Sequence, residues 1–273
     1  MKRRLSLTLL ILLVLLLACY ASYEIFLRPF GYATLVYVSN AQEFNAPPER
    51  IKATFGIGRD SAPAESPWTA RLKSLPLYDR IHEAVAISRS LQAQGSVDGE
   101  PRTAGDLFRA SARFLRICSE AAKIFVALME STGTPARVIW MCGHTTAEVF
   151  DPSTGWILVD PHGNMMARRD GKYLSVLEVI GQTDFEAISV TNSPGKDFAR
   201  SGHLKQSDSV YRRNDCIVAI DPDDVFDFQS RLRNPVALLR SLAGEPAVAR
   251  GMQFTGGTQP KLGNFGVGLY RRF

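Results

Sequence analysis

The sequence predicts a chain of helices followed by antiparallel strands, set behind an apolar N-terminal helix. Three observations carry this expectation. Residues 5–23 (LSLTLLILLVLLLACYASY) hold no charge. Apolar residues recur at helical spacing from Leu77 to Gln94 and again from Cys118. After Gly133 the pattern changes to strand-like runs, ARVIWMC, TTAEVFD and GWILVD, separated by turn residues. With 273 residues, 45% of them apolar and 22% charged, the chain can bury a sizeable core. It has no repeat and no heptad run, which excludes collagen-like, coiled-coil and solenoid architectures. The formal net charge of +5 is accounted for by Lys2, Arg3, Arg4, Arg271 and Arg272 at the two ends. The body is neutral, so no nucleic-acid partner is expected. Four cysteines and four histidines, all scattered, suit neither a disulfide framework nor a zinc ribbon, and no metal or cofactor is expected.

Taken in order, residues 1–27 read as a signal anchor. As a helix, the charge-free stretch 5–23 would be about 28 Å long, close to the thickness of a bilayer core. Lys2, Arg3 and Arg4 precede it, so the positive-inside rule leaves the N-terminus in the cytoplasm and the rest of the chain outside it, in the periplasm of a Gram-negative cell. The alternative is a cleaved leader, since Leu5 to Ala18 has the length of a signal-peptide core and Leu-Leu-Ala-Cys19 loosely resembles a lipoprotein box. Residues 28–76 are broken by Pro47, Pro48, Pro63, Pro67 and Pro76 and read as a membrane-proximal linker with one short strand at 33–39. From Leu77 to Gln94, Ile81, Ala84, Val85, Ile87 and Ser88 form a helical stripe. A second helical stretch opens at Thr103, with Asp106 in a weak capping box, and runs through Leu107, Phe108 and Phe114.

The block from Cys118 to Val138 is the most informative. Ala121, Ala122, Phe125, Leu128 and Met129 fall on one stripe with Cys118, which therefore begins a buried helix face. A thiol at a helix N-terminus sits at the positive end of the dipole, where the thiolate is favoured. Cysteine is also among the most buried residue types, so this position taken by itself reads more readily as core. Gly133 is placed to cap the helix. The Asp151-Pro-Ser-Thr-Gly155 turn should then join two strands as a hairpin. Pairing Phe150 with Trp156 sets Thr146 opposite Asp160 and His144 opposite His162. It also leaves His144 and Asp160 on one face as a diagonal pair about 7 to 8 Å apart at Cα, close enough for an imidazole and an orienting carboxylate to meet. His162 is a competing base, although it sits in an Asp-Pro-His-Gly-Asn turn, and Glu148 reads as a structural strand carboxylate. Farther on, Asp221, Asp223, Asp224 and Asp227 suggest calcium at first sight. They are better read as an N-cap and an acidic first turn, with Pro222 opening a helix near 222–242 and an extended or flexible tail at 256–268.

The order Cys118, GTPAR (133–137), HTTAEV (144–149) and GWILVDP (155–161) resembles the transglutaminase-like superfamily of papain-related thiol enzymes. The likeness covers residues 77–175. It implies an α+β core in which a central helix carries the nucleophile against an antiparallel sheet, with a Cys118, His144, Asp160 triad, no cofactor and no metal. Residues 176–273 become a C-terminal extension. The implied activity is that of a membrane-anchored extracytoplasmic enzyme acting through an acyl-enzyme on a protein or peptide substrate with an amide group, as a hydrolase, peptidase or amine acyltransferase. The membrane is contacted through residues 5–23. The chain has Arg116-Ile117 and Thr146 where such enzymes usually carry a small residue and an aromatic one. This departure supports a second reading, a catalytically impaired domain that serves as a binding or scaffolding module in an envelope assembly. In an oxidising compartment, Cys142 and Cys216 are left as a candidate structural pair.

Overall fold

The structure, a computed structural model, describes residues 2–22, 32–55, 65–93, 118–141, 144–182, 184–192, 217–220 and 247–254. The elements run α1 (Lys2–Ser22), β1 (Tyr32–Ser39), α2 (Ala41–Phe44), α3 (Pro48–Phe55), α4 (Thr69–Lys73), α5 (Leu77–Ala93), α6 (Cys118–Ser131), β2 (Ala136–Met141), β3 (His144–Asp151), β4 (Gly155–Asp160), β5 (Met165–Arg169), β6 (Lys172–Tyr173), α7 (Val176–Val179), β7 (Glu186–Ser189), β8 (Ile217–Ile220) and β9 (Ala247–Phe254). The class is α+β.

Helix α6 lies at the centre. Of its predicted stripe, Ala121, Ala122, Phe125, Leu128 and Met129 are buried, as are Ile124, Val126 and Ala127 on its other sides. A helix that is apolar nearly all round has to be enclosed. It is covered on one side by α5, whose Ile81, Ala84, Val85 and Ile87 face the same core, and on the other by Val138, Ala147, Val149, Ile157 and Val159 of the sheet. The helix stops where the sequence places its cap. Gly133 takes φ 80°, its N–H donates to the Glu130 carbonyl at 2.8 Å, and the Thr134 N–H reaches the Met129 carbonyl at 3.2 Å. This pair of bonds is a Schellman ending.

The strands form one sheet in the order β1-β9-β8-β2-β3-β4-β5-β6, with β7 also paired to β5. Its second face is closed by Phe44, Ile51 and the short α7, which pack on Ile139, Met141, Trp156, Leu158 and Met165. Burial on both faces explains why β2 to β4 read as nearly continuous apolar runs rather than as alternating ones. The β3–β4 hairpin has the predicted register, with Phe150 opposite Trp156 and Ala147 opposite Val159. Its turn is made by Asp151, whose Oδ1 accepts from the Ser153 N–H at 2.8 Å, and by Gly155 at φ 90°.

Three features differ from the expectation. The sheet is antiparallel except at one edge, where β1 runs parallel to β9. The segment read as a linker with one strand at 33–39 has that strand, as β1, and also supplies α2, α3 and α4. The extension beyond residue 175 likewise supplies β7, β8 and β9, and β8 pairs with β2 through Val138–Ile220. Edge pairing between distant segments depends on tertiary partners that local patterning does not carry. The helices expected from Thr103 and near 222–242, and the tail at 256–268, lie outside the described residues. In α1, Leu9 and Ile11 to Leu17 are each more than half exposed. Among the residues whose side chains are described, no helix is long and apolar enough to cross a membrane. In α1 these side chains are those of Leu9, of Ile11 to Tyr20 and of Ser22, which cover less than a full span.

Candidate active site

Three elements end at one place. Cys118 is the first residue of α6, His144 the first of β3 and Asp160 the last of β4. The first turn of α6 is held by α5, because Ser88 Oγ donates to the Ala121 carbonyl at 3.0 Å. Cys118 is half-buried, His144 is 7% exposed and Asp160 is fully buried. His144 Nε2 meets Asp160 Oδ2 at 2.7 Å. The same imidazole interacts with the Cys118 thiol, on which the Thr145 backbone N–H also acts. The second carboxylate oxygen of Asp160 is also engaged, accepting the Gly163 N–H at 2.7 Å. Thr146, where an aromatic was expected, is fully buried. Its hydroxyl donates to the Val159 carbonyl at 2.8 Å, just where the β3–β4 ladder ends.

Burial alone would keep His144 neutral. The Asp160 carboxylate and the Cys118 sulfur outweigh it and raise the imidazole pKa to about 10. Burial alone would also push the thiol upward. The hydrogen bond and charge of His144, helped by the Thr145 N–H, outweigh that and hold Cys118 below its ordinary value. Both shifts favour a thiolate beside an imidazolium.

The remaining motif residues form a buried support beneath this site. Arg137 of the GTPAR segment donates to Glu148 Oε2 from Nε at 2.8 Å and from Nη2 at 2.6 Å, and to the Phe44 carbonyl from Nη1 at 2.8 Å. The second Glu148 oxygen accepts the Val176 N–H at 2.7 Å. The guanidinium lies between aromatic rings, 3.9 Å from the Trp156 centroid and 4.5 Å from that of Phe44. Glu148 is therefore the structural carboxylate that the sequence suggested.

Of the predicted site residues, Cys118, His144 and Asp160 are brought together. His162 is not set opposite His144, because β4 stops at Asp160 and His162 falls in the following turn. Cys142, Cys216 and the aspartates from Asp221 to Asp227 lie outside the described residues. Cys118 and Cys19 are free thiols. Among the described residues no group of three or more His, Cys, Asp or Glu is placed to hold a metal ion. Sequence reasoning missed the Thr145 and Gly163 N–H donors. Gly163, directly after Asp-Pro-His, is the kind of position where backbone approaches a carboxylate, but nothing in the sequence distinguishes it from an ordinary turn glycine.

Residues 76–161 match the sequence model of the transglutaminase-like superfamily, an interval that contains Cys118, His144 and Asp160. No curated protein and no solved structure matches the chain.

Proposed function

Residues 76–161 being a transglutaminase-like domain, we propose that the protein is a thiol enzyme acting on amide groups of a protein or peptide, with Cys118 as nucleophile, His144 as acid and base, and Asp160 as the group that orients His144. The observation that supports this most directly is the buried 2.7 Å contact between His144 and Asp160, together with the interaction of the same imidazole with Cys118. The Cys118 thiolate attacks the carbonyl carbon, and the carbonyl electron pair moves onto oxygen. The backbone N–H of Cys118, at the helix start, stabilises that oxyanion. As the tetrahedral intermediate collapses, the C–N bond breaks and the leaving amine takes the proton from His144 Nδ1, leaving a thioester on Cys118. Neutral His144 then takes a proton from water, whose oxygen attacks the thioester, and breaking of the C–S bond restores thiolate and imidazolium. An amine in place of water would give a new amide.

The proposal includes a location. A 21-residue α1 would be about 31 Å long as an α-helix, and its charge-free stretch behind a basic leader suits a signal anchor with the domain outside the cytoplasm.

Alkylation of the full-length protein with iodoacetamide at pH 7 tests the site. Cys118 should react at least about tenfold faster than free glutathione in the same solution, and His144→Ala should remove the advantage. Cys118→Ala should abolish the biological activity while costing only about 1 kcal/mol, as for a small core truncation. Ordinary reactivity at Cys118, together with full complementation by the alanine variant, would leave a domain that binds or scaffolds without turnover.

A further inference from the structure

Asp160 can hold His144 only if its carboxylate is itself held. It is fully buried and ends a strand, so its direction depends on the turn that follows. That turn is gripped from two sides. From α5, Arg89 Nη1 donates to the His162 carbonyl at 3.0 Å and to the Pro161 carbonyl at 3.3 Å. From the far side, Asn164, in the left-handed region at φ 55°, donates from its side chain to the Thr191 carbonyl at 2.6 Å and accepts the Thr191 N–H at 2.8 Å. Between the two grips, the Gly163 N–H points at Asp160 Oδ1. Arg89 stands next in sequence to Ser88, which holds the first turn of the Cys118 helix. The end of α5 thus touches both halves of the site, the nucleophile helix through Ser88 and the carboxylate turn through Arg89.

We infer that Arg89 is a positioning residue: by holding the Pro161 and His162 carbonyls it aims the Gly163 N–H at Asp160 and so fixes the carboxylate against His144. The inference rests on the proposed Cys118, His144, Asp160 site and adds to it a residue that touches none of the three. Without the guanidinium, two carbonyls lose their donor and the turn can relax. Asp160 then loses the bond that keeps Oδ1 turned away and Oδ2 on the imidazole. A less firmly held carboxylate supports the imidazolium less well, and the thiolate is weakened in turn. His144 and Asp160 both act on Cys118, and Asp160 and Cys118 both act on His144. The pH at which Cys118 becomes reactive therefore reports on this chain.

The test is the pH profile of iodoacetamide alkylation at Cys118 in the full-length protein, with thermal unfolding recorded beside it. Arg89→Met keeps an apolar stem and removes the donors. Its profile midpoint should move upward by about one pH unit, which is about tenfold less thiolate on the low-pH side. Arg89→Lys keeps the charge but replaces the planar guanidinium, whose Nη1 serves both carbonyls, with a more strongly hydrated ammonium on a different stem, and should fall between wild type and Arg89→Met. An unchanged midpoint in folded Arg89→Met overturns the inference, as does an unchanged midpoint in Arg89→Lys if the methionine variant does not fold. A wild-type midpoint at the ordinary thiol value would be a different failure, that of the proposed thiol site itself.

Discussion

Removing the Glu148 carboxylate should strongly destabilise this protein, although Glu148 touches none of the proposed reacting groups. Glu148 is fully buried and Arg137 only 6% exposed. An arginine keeps its charge under such conditions. Glu148→Ala leaves that charge with one bond, to the Phe44 carbonyl, in place of three, and a buried unpaired charge costs about 3 to 5 kcal/mol. The Val176 N–H also loses its acceptor, a penalty of about 1 to 3 kcal/mol that overlaps with the first. A loss of about 4 kcal/mol is a large part of a typical domain stability of about 5 to 15 kcal/mol. Glu148→Gln should cost less, because its amide oxygen can still take the Val176 N–H. The double variant Arg137→Met, Glu148→Leu should recover most of the loss by removing both charges at once. Urea unfolding of the full-length protein in detergent, followed by tryptophan fluorescence, measures all three, and Trp156 beside the guanidinium makes the signal local. A cost below about 1 kcal/mol for Glu148→Ala, or a double variant no more stable than the single one, would refute this account of the buried pair.

Asp160→Asn should keep the fold but offer the imidazole the wrong hydrogen-bonding partner, lowering turnover by orders of magnitude; unchanged turnover would transfer the orienting role to another group. The His144 pKa is pushed up to about 10, above the ordinary imidazole value of 6.5, by the Asp160 carboxylate and the Cys118 sulfur. The stability contributed by the imidazolium is therefore full below about pH 6.5 and is lost as pH rises through about 10. Asp160→Asn should shift that loss to lower pH, which thermal unfolding across the range would show. Gly133→Ala forces an L side chain into φ 80° and should cost about 1 kcal/mol in the same unfolding assay. A reporter fused after Phe273 should be extracytoplasmic and the chain should resist carbonate extraction, whereas a soluble product starting near Ser22 would show a cleaved leader.

How much of this was legible depended on how local the signal was. Helix α5, helix α6 and its glycine cap were readable because stripe and cap are set within a few turns of chain. The β3–β4 register was readable because Asp151-Pro-Ser-Thr-Gly155 fixes the turn, and from it the diagonal of His144 and Asp160 followed. The Arg137–Glu148 pair left a partial trace, two charged residues inside otherwise apolar strands. Seeing them as partners required the β2–β3 register, in which Arg137 stands opposite Glu148. The places of β8 and β9 left no trace, since they enter the sheet by pairing with β2 and β1, strands far away in the sequence. The grip of Arg89 on the 161–162 carbonyls was equally silent: any arginine at a helix end reads as solvated, and its partners are backbone atoms of a distant turn.

The parallel pairing of β1 with β9 bears on how the chain is made. Tyr32 leaves the ribosome early, and its partner Ala247 only after the whole transglutaminase-like region has been synthesised. Until then β1 lacks the strand it hydrogen-bonds to, while β2, β3 and β4 can already pair through short connections. Non-local parallel contacts are the slow ones in folding, and unpaired strand edges are where chains aggregate. Assembly of α6 and the β3–β4 hairpin can thus precede closure of the sheet edge, and the interval between them is when the nascent chain most needs a chaperone.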